Sequence, residues 1–339
     1  MKRAITICAM VLGALMPARA QVAASHGSMA VATHPLPNVQ ASGKPVARVN
    51  GAVLTDRDLL REMYVIFPYA RQHGGTFPKE MEAGIRSGAM QMIIFEELVY
   101  QEALRRKMTV GPTEMQTAET DFRKQFTSPQ QYEDFLRAEF NGSAQLLREK
   151  MRRSLLIDAL LQIEVAGKST VSTAEAKAFY DKNPSQFQYP ESFAFQTISV
   201  LPPEKATPSQ LKEGRKRIED ALRQARATKT YEEFGMLAEK VSDDDYRVMM
   251  GDHKFVDRAK LAPAVVQALL AMQPGQISDI IQIEQAYTIV RLNKHVFAGK
   301  MSFTDIKDKL KKELEAKKTE NLRAALDKGL RSKAKVEVL

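Results

Sequence analysis

Apolar and polar residues alternate along residues 193–200, which is the period of a half-buried β-strand. Farther along, Thr207 and Thr230 stand where a helix N-cap is expected, and apolar residues follow each of them at helical spacing. Pro274-Gly275 then predicts a turn. The stretch predicts the order β-α-α-α-β-β, with elements at about 193–200, 207–225, 230–241, 263–269, 277–283 and 286–292.

Helical periodicity dominates the chain on both sides of this stretch. Before it, Asn50-Gly51 lies between two short apolar runs and predicts a tight β-hairpin. The last residues, 334–339, alternate like a strand, and we expect them to pair with this hairpin because an unpaired strand edge is a liability. The predicted helices, apart from those already given, cover about 55–66, 78–107, 112–126, 129–140, 144–165, a short segment after Ser172, and 303–332.

The N-terminal helices are rich in large flexible apolar side chains. The longest predicted helix has an expected buried face of Ile85, Met92, Ile93, Leu98 and Leu104. Flexible thioethers suit surfaces that accept many apolar sequences, so the methionines of these helices predict a groove for unfolded chains. They are Met63, Met81, Met90, Met92, Met108, Met115 and Met151; a few of them would suffice for the groove, and core filler is the more common role of any single one.

The first residues have the pattern of a signal peptide. Lys2 and Arg3 precede an apolar run of about thirteen residues, too short for a membrane span of ~20, and Ala18-Arg19-Ala20 is a cleavage site. We expect segment 1–20 to be removed after Ala20, giving an exported, periplasmic protein. The single cysteine, Cys8, lies in this segment, so thiol chemistry is excluded.

Composition narrows the classes of partner. Residues 21–45 are small and almost uncharged, as in a flexible linker, and His26 and His34 there have no third ligand for a metal. The net charge of +9 would suit nucleic acid, but export and the lack of tryptophan argue against that partner. A weak contact with anionic lipid stays open, and no later segment is apolar enough to be an integral membrane span.

The central stretch resembles the parvulin-type, or PpiC-type, peptidyl-prolyl isomerase (rotamase) domain. The resemblance covers roughly a hundred residues and rests on ordered markers rather than on any one of them. These are the opening strand, the Phe234/Leu237/Ala238 helix, Ser242-x-Asp244, Gly251-Asp252, Leu261-x-Pro263, Pro274-Gly275-Gln276-Ile277-Ser278 and Tyr287-Thr288-Ile289-Val290. The resemblance implies a four-stranded antiparallel sheet and proline isomerase activity without a cofactor or a metal.

The same resemblance exposes departures from the family's pattern. Thr197 and Thr288 stand where the family usually has histidines, and they are expected to face each other on neighbouring central strands. Val265 stands where an aromatic residue usually floors the proline pocket, and Met250-Gly251 replaces a double glycine. These changes predict that isomerase activity is weak or lost.

Proline isomerisation needs an apolar cage around the pyrrolidine ring, because the protein must bind the twisted amide better than either planar form. Leu261 and Val265 are the candidates for this cage. Met250 and Phe255 are expected beside them as substrate-binding residues. Each of the four could instead be an ordinary core residue.

A polar group near the amide carbonyl completes such a site. Asp244 takes the position of the family's acidic or thiol residue, and with Thr197 and Thr288 it forms the candidate catalytic set. The run 243–245 lacks the spaced oxygen ligands of a calcium loop, so no metal site is predicted. His253 beside Asp252 has the local pattern of a surface loop.

The whole layout resembles the SurA-like periplasmic chaperones, with an α+β, mostly helical fold. That resemblance implies a signal peptide (1–20), a linker (21–45), a helical N-terminal domain (46–185), one parvulin-like domain (186–297), and a helix and strand (298–339) that rejoin the N-terminal domain. It also implies a folding chaperone whose partners are unfolded or nascent exported polypeptides. A working isomerase and a scaffolding protein without either activity stay open as alternatives.

Overall fold

A computed structural model describes residues 43–72 and 75–339, which fold as two compact units. The N-terminal unit combines residues 43–172 with Lys311–Leu339, and the central unit is Thr173–Leu310. The predicted signal segment 1–20 lies outside the described residues. The described residues form the predicted α+β, mostly helical fold.

The N-terminal unit is built from a hairpin, a set of helices and the end of the chain. Its elements up to residue 172 are β1 (Pro45–Val49), β2 (Ala52–Thr55), α1 (Asp56–Ile66), α2 (Tyr69–Gln72), α3 (Lys79–Arg105), α4 (Pro112–Arg123), α5 (Pro129–Phe140), α6 (Ala144–Leu161) and α7 (Gly167–Ser169). A π-helical turn, Gln162–Ala166, joins the last two.

The central unit comes next and contains most of the strands. Its elements are α8 (Thr173–Lys182), β3 (Gln188–Tyr189), β4 (Ser192–Val200), α9 (Pro208–Ala227), α10 (Tyr231–Val241), β5 (Asp252–Asp257), α11 (Pro263–Leu270), β6 (Ile281–Ile283), β7 (Ala286–Val296) and β8 (Gly299–Lys300). The long helix α12 (Phe303–Arg331) and β9 (Val336–Val338) end the chain. The expected strand 277–283 is shorter than predicted, since Ile277 makes only an isolated bridge to Arg291.

The predicted pairing of the last strand with the hairpin is confirmed. Asn50 and Gly51 both have positive φ, as the tight turn requires, and β1 pairs with β2 on one side and β9 on the other. The Leu339 amide donates to the Val46 carbonyl at 3.0 Å, and the Lys335 amide donates to Asn50 Oδ1 at 2.8 Å. Residues about 285 positions apart in sequence therefore share one three-stranded sheet.

The core of the N-terminal unit lies along α3. Ile85, Ile93 and Leu98 pack with the hairpin and α1, and Met92 packs toward α6. Leu104, however, was expected on this face and is 48% exposed, because its neighbour Ala103 takes the buried position of the last turn, against the cluster of Leu156 and Leu160. A separate cluster, rich in phenylalanine, joins α4, α5 and α6.

Most of the N-terminal methionines fill the core, as the alternative interpretation of each single methionine expected, and a groove lined by a few of them stays a prediction. Four of the seven methionines are buried in the core, where flexible side chains fill gaps between helices: Met63, Met92, Met115 and Met151. Met90 and Met108 are partly buried against the same clusters. Only Met81 among the seven is exposed.

The central unit is organised around one antiparallel sheet with the strand order β5-β4-β7-β6. One face, with Ile198 and Ile289, packs against α9 and α10. The opposite face, with Phe195 and Val290, packs against α11. The predicted four-stranded antiparallel sheet is therefore confirmed. Among the helices that the structure describes, none combines the length and the hydropathy that a membrane span needs.

Candidate functional site

The apolar part of the candidate site lies on the face of the sheet that α11 covers. Val265 and Leu269, four residues apart on α11, both point into a cluster that includes Phe195 and Val290. Leu261, just before the helix, packs on the edge of the same cluster and stays partly exposed. Leu261 and Val265 are therefore brought together, as the predicted cage requires.

Thr197 holds the polar part of the site together. Its Oγ1 lies 3.1 Å from Asp244 Oδ2 and 2.9 Å from His253 Nε2. A hydroxyl has one proton, and Thr197 donates it to the carboxylate, so Oγ1 accepts from the histidine. Nε2 of His253 must then carry a proton. The result is a directed chain of hydrogen bonds from His253 through Thr197 to Asp244.

Asp244 reaches this position because the loop after α10 is fastened to β4. The Ser199 amide donates to Ser242 Oγ at 2.8 Å, and the Asp243 amide donates to the Ser199 carbonyl at 2.8 Å. Asp243 itself accepts from Arg217 and from the Leu201 amide. Asp244 Oδ1 is buried and has no hydrogen-bond partner among the described residues.

His253 is the residue of the site that the sequence interpretation missed. Its ring stacks between Phe195, at a centroid distance of 4.7 Å, and Tyr246, at 3.6 Å. Burial lowers the pKa of His253, and the carboxylates of Asp244 and Asp252 oppose this shift without overcoming it. The imidazole is therefore neutral near pH 7. Because His253 lies in β5 and packs against two rings, the expectation of a surface loop pair is wrong.

A close backbone contact between Gly251 and Thr197 places His253 beside the central strand β4. Gly251 has a φ of +71°, and a Cβ there would lie 2.3 Å from the Thr197 carbonyl oxygen. The Thr197 amide also donates to the Gly251 carbonyl at 2.9 Å. The next residue, Asp252, accepts from the Tyr231 hydroxyl at 2.9 Å and is buried. Only glycine allows this approach, which starts β5 directly beside Thr197.

Thr288 does not face Thr197, contrary to expectation. The register of β4 and β7 pairs Thr197 with Val290 and Ser199 with Thr288. The two hydroxyls of Ser199 and Thr288 lie 3.0 Å apart and are buried. The Thr288 hydroxyl is therefore hydrogen-bonded inside the sheet, two residue pairs along the strands from Thr197.

Met250 and Phe255 lie apart from the apolar cage. The Met250 side chain lies against Gly235 of α10, where an added Cβ would be only 2.6 Å from the methionine methyl. Phe255 pairs with Ala194 and lies under Lys294, whereas its neighbour Val256 joins the cluster of Leu261 and Val265. Because side chains alternate along a strand, Phe255 points to the other face of the sheet.

The described residues contain no group of three or more histidine, cysteine, aspartate or glutamate side chains that could hold a metal ion. The groups that meet around Thr197 are two aromatic rings, one imidazole, one hydroxyl and one carboxylate, which offer hydrogen bonds and apolar contact. Such a set can orient a peptide amide. Thr197 donates its proton to Asp244 and accepts from His253, so these residues are not arranged as a nucleophile and its base.

Comparisons with known proteins divide the chain in a similar way. Residues 29–161 match the family described as SurA-like N-terminal domain, and residues 171–308 match the PPIC-type PPIASE domain. The chain is 28% identical over 285 residues to a protein named Chaperone SurA from Thiobacillus denitrificans, which covers 82% of this chain and 59% of the relative. It is 25% identical over 296 residues to a Chaperone SurA from Burkholderia orbicola, covering 86% of this chain and 63% of the relative.

The chain thus spans about three fifths of the length of these curated relatives. Among solved structures, one of two proteins described as SurA-like chaperones of Campylobacter jejuni has 19% identity and a TM-score of 0.40. That alignment covers 87% of this chain and 100% of the other. The two family matches together show that a SurA-like N-terminal domain precedes a PPIC-type peptidyl-prolyl isomerase domain in this chain.

Proposed function

We propose that this protein is an exported folding chaperone that binds unfolded or nascent polypeptides, and that its PPIC-type domain is a peptide-binding module with weak or no isomerase activity. The observation that carries the proposal is the composition of the site. An apolar cluster with Leu261 at its edge lies beside a small hydrogen-bonding set around Thr197. This arrangement suits an apolar residue next to a peptide amide.

The expected weakness of catalysis follows from what the site lacks. Rotation about an X-Pro bond crosses a barrier of roughly 18–20 kcal/mol, and each ~1.4 kcal/mol of selective binding to the twisted amide changes the rate tenfold. Val265 offers the proline ring less apolar surface than an aromatic residue would, at ~0.8 kcal/mol per methylene of lost burial. Thr288 is buried and is hydrogen-bonded to Ser199, away from Thr197 and Asp244.

A refolding assay tests this part of the proposal. We expect little acceleration of a proline-limited refolding reaction when the protein is present at one twentieth of the client's concentration. Binding of a permanently unfolded polypeptide at equimolar concentration should persist. Absence of that binding would contradict the chaperone function.

A working isomerase is the second candidate, and one observation favours it. His253 brings an imidazole into the site, hydrogen-bonded to Thr197, from a strand that is not one of the two central ones. Clear catalysis at the low ratio, abolished by Asp244→Ala or Leu261→Ala, would establish this function instead.

Location, domain limits and lipid contact belong to the same proposal. We infer that the protein is periplasmic and begins at Gln21 after cleavage behind Ala20, and that the domain limits are 46–185, 186–297 and 298–339. Its clients are exported polypeptides, nucleic acid is not a partner, and contact with anionic lipid is weak. N-terminal sequencing of the exported fraction checks the processing, and a start at Met1 there would contradict it.

A further inference from the structure

A cavity of about 220 Å³, partly open to solvent, lies between α4, α5 and the start of α6 in the N-terminal unit. Three of its lining residues are buried members of the phenylalanine-rich cluster, Phe122, Leu147 and Met151. The other lining residues are partly or fully exposed and form its rim: Glu119, Arg123, Tyr132, Ala144, Gln145 and Arg148. The cavity is smaller than the roughly 300–1,000 Å³ of sites for drug-sized ligands, yet larger than the ~150 Å³ that admits benzene. One aromatic ring with a short polar group therefore fits its size.

The inner wall of the cavity is aromatic and apolar. The ring of Phe122 lies 5.2 Å from that of Phe126, edge to face, and 5.6 Å from that of Phe135. Phe126 in turn lies 5.4 Å from Tyr132, again edge to face. Aromatic rings favour this arrangement, and a thioether such as that of Met151 also contacts rings favourably. A further ring from a ligand would therefore find the partners that rings prefer.

The rim of the cavity is cationic. The guanidinium of Arg123 lies over the Tyr132 ring, 4.9 Å from its centroid, and pairs with no carboxylate among the described residues. Arg148 Nε lies 3.0 Å from Glu119 Oε1, an ion pair that engages one edge of the guanidinium and not its terminal nitrogens. The rim thus holds two guanidinium groups for one carboxylate. An arginine stacked on a ring keeps its N–H groups free in its own plane, so these two can bind a carboxylate.

We propose that this cavity is a binding site for an aromatic carboxylate, whose ring packs against Phe122 and Met151 and whose carboxylate accepts hydrogen bonds from Arg123 and Arg148. An aliphatic acid would leave the aromatic wall uncovered, and an aromatic amide would leave the arginines without an anion. Two sources carry the required chemistry, a small aromatic acid and a free chain end at an aromatic residue. The inference goes beyond the proposed function and does not depend on it, since it requires only the folded N-terminal unit.

The test uses the full mature chain with ¹³C-labelled methionine methyl groups, titrated with N-acetylphenylalanine. N-acetylphenylalanine amide lacks the carboxylate, and N-acetylalanine lacks the ring. The Met151 methyl reports on the site, because an aromatic ring placed against it shifts its resonance, and Met63, in the cluster around the hairpin, reports on the rest of the unit. We expect a Kd on the order of 1 mM for N-acetylphenylalanine. The amide and the alanine derivative should each bind about tenfold more weakly.

Three variants locate the two halves of the ligand. Arg123→Gln removes the charge and keeps a flat group over Tyr132, so it should weaken binding of the acid about tenfold and leave binding of the amide unchanged. Lys124→Gln is the matched control, because Lys124 carries the same charge next in sequence but pairs with Asp121 at 2.8 Å and does not line the cavity. It should leave both affinities unchanged. Ala144→Leu fills the rim and should abolish binding, while an unshifted Met63 resonance shows that the unit stays folded.

Three results would each overturn the inference. They are equal affinity for the acid and the amide, an Arg123→Gln variant that binds the acid like wild type, and no shift of Met151 at about ten times the expected Kd. A tetrapeptide that ends in phenylalanine with a free carboxylate distinguishes the two sources. Binding as tight as that of N-acetylphenylalanine assigns the site to a chain end, and weaker binding assigns it to a small aromatic acid; both agree with the proposed chemistry.

Discussion

Replacing Glu62 with glutamine is expected to stabilise the N-terminal unit, and to do so more strongly at pH 7.5 than at pH 5. Glu62 lies on α1 and is only 7% exposed. Burial raises its pKa from 4.5 to about 8, and the nearby Glu96 adds to the shift, while Arg323 and Lys150 reduce it. The protein therefore holds a carboxyl group that is protonated when folded and ionised when unfolded at neutral pH.

The sign and size follow from linkage between proton binding and folding. Below pH 4.5 both the folded and the unfolded state carry the proton, so the ionisation of Glu62 does not change the free energy of unfolding. Between pH 4.5 and about 8 only the folded state keeps it, so the free energy of unfolding falls by ~1.4 kcal/mol per pH unit. Glutamine does not ionise. The gain in stability from Glu62→Gln should therefore be about 3 kcal/mol larger at pH 7.5 than at pH 5.

The assay is urea unfolding at both pH values, followed by a probe in this unit alone. The chain contains no tryptophan, so a Tyr69→Trp background reports on the N-terminal unit by fluorescence. Glu97→Gln is the matched control, because Glu97 is similarly buried and forms an ion pair with Arg153 at 2.7 Å. Loss of the Glu97 charge in this variant should destabilise the unit by about 2 kcal/mol. A difference between Glu62→Gln and wild type that does not change with pH would refute the reasoning.

Two other perturbations test the close contacts of the fold. Gly251→Ala should destabilise the central unit by about 3 kcal/mol and disturb the His253 stack, because its Cβ would lie 2.3 Å from the Thr197 oxygen. Gly275→Ala, with a φ of +94° but open space around the added Cβ, should cost only about 1 kcal/mol. Equal melting temperatures for the two variants would contradict this difference. Deleting residues 336–339 should unpair the edge of β1 and speed hydrogen exchange in α3, which packs on the hairpin. Unchanged exchange in α3 would show that β9 does not stabilise this unit.

The sequence predicted the elements whose signals are local. Thr55 and Thr230 both form capping boxes at the helix starts where their spacing to Asp58 and Glu233 placed them. The Asn50-Gly51 turn also lies where expected, with the backbone angles that these residues favour. Each of these depends on a few neighbouring residues, so no knowledge of the tertiary structure was needed.

The parts of the site that were missed depend on contacts between distant residues. Strand β5 has no clear alternation and contains Lys254 at a φ of +56°, so its sequence does not predict a strand. His253 enters the site only because Gly251 approaches Thr197, a contact across 54 residues. The strand register that pairs Thr288 with Ser199 is likewise a property of the folded sheet. Gly251-Asp252 was the one local signal that pointed to this region.

Suppression of aggregation by the mature protein is the measurement that tests the central claim most directly. A chemically denatured client without prolines, diluted into buffer, aggregates and scatters light, and its refolding does not depend on proline isomerisation. We expect equimolar protein to lower the scattering strongly and one twentieth of that amount to have almost no effect, as for a chaperone that binds its client rather than turning it over. No reduction of scattering at equimolar or higher concentration would contradict the claim that this protein binds unfolded chains.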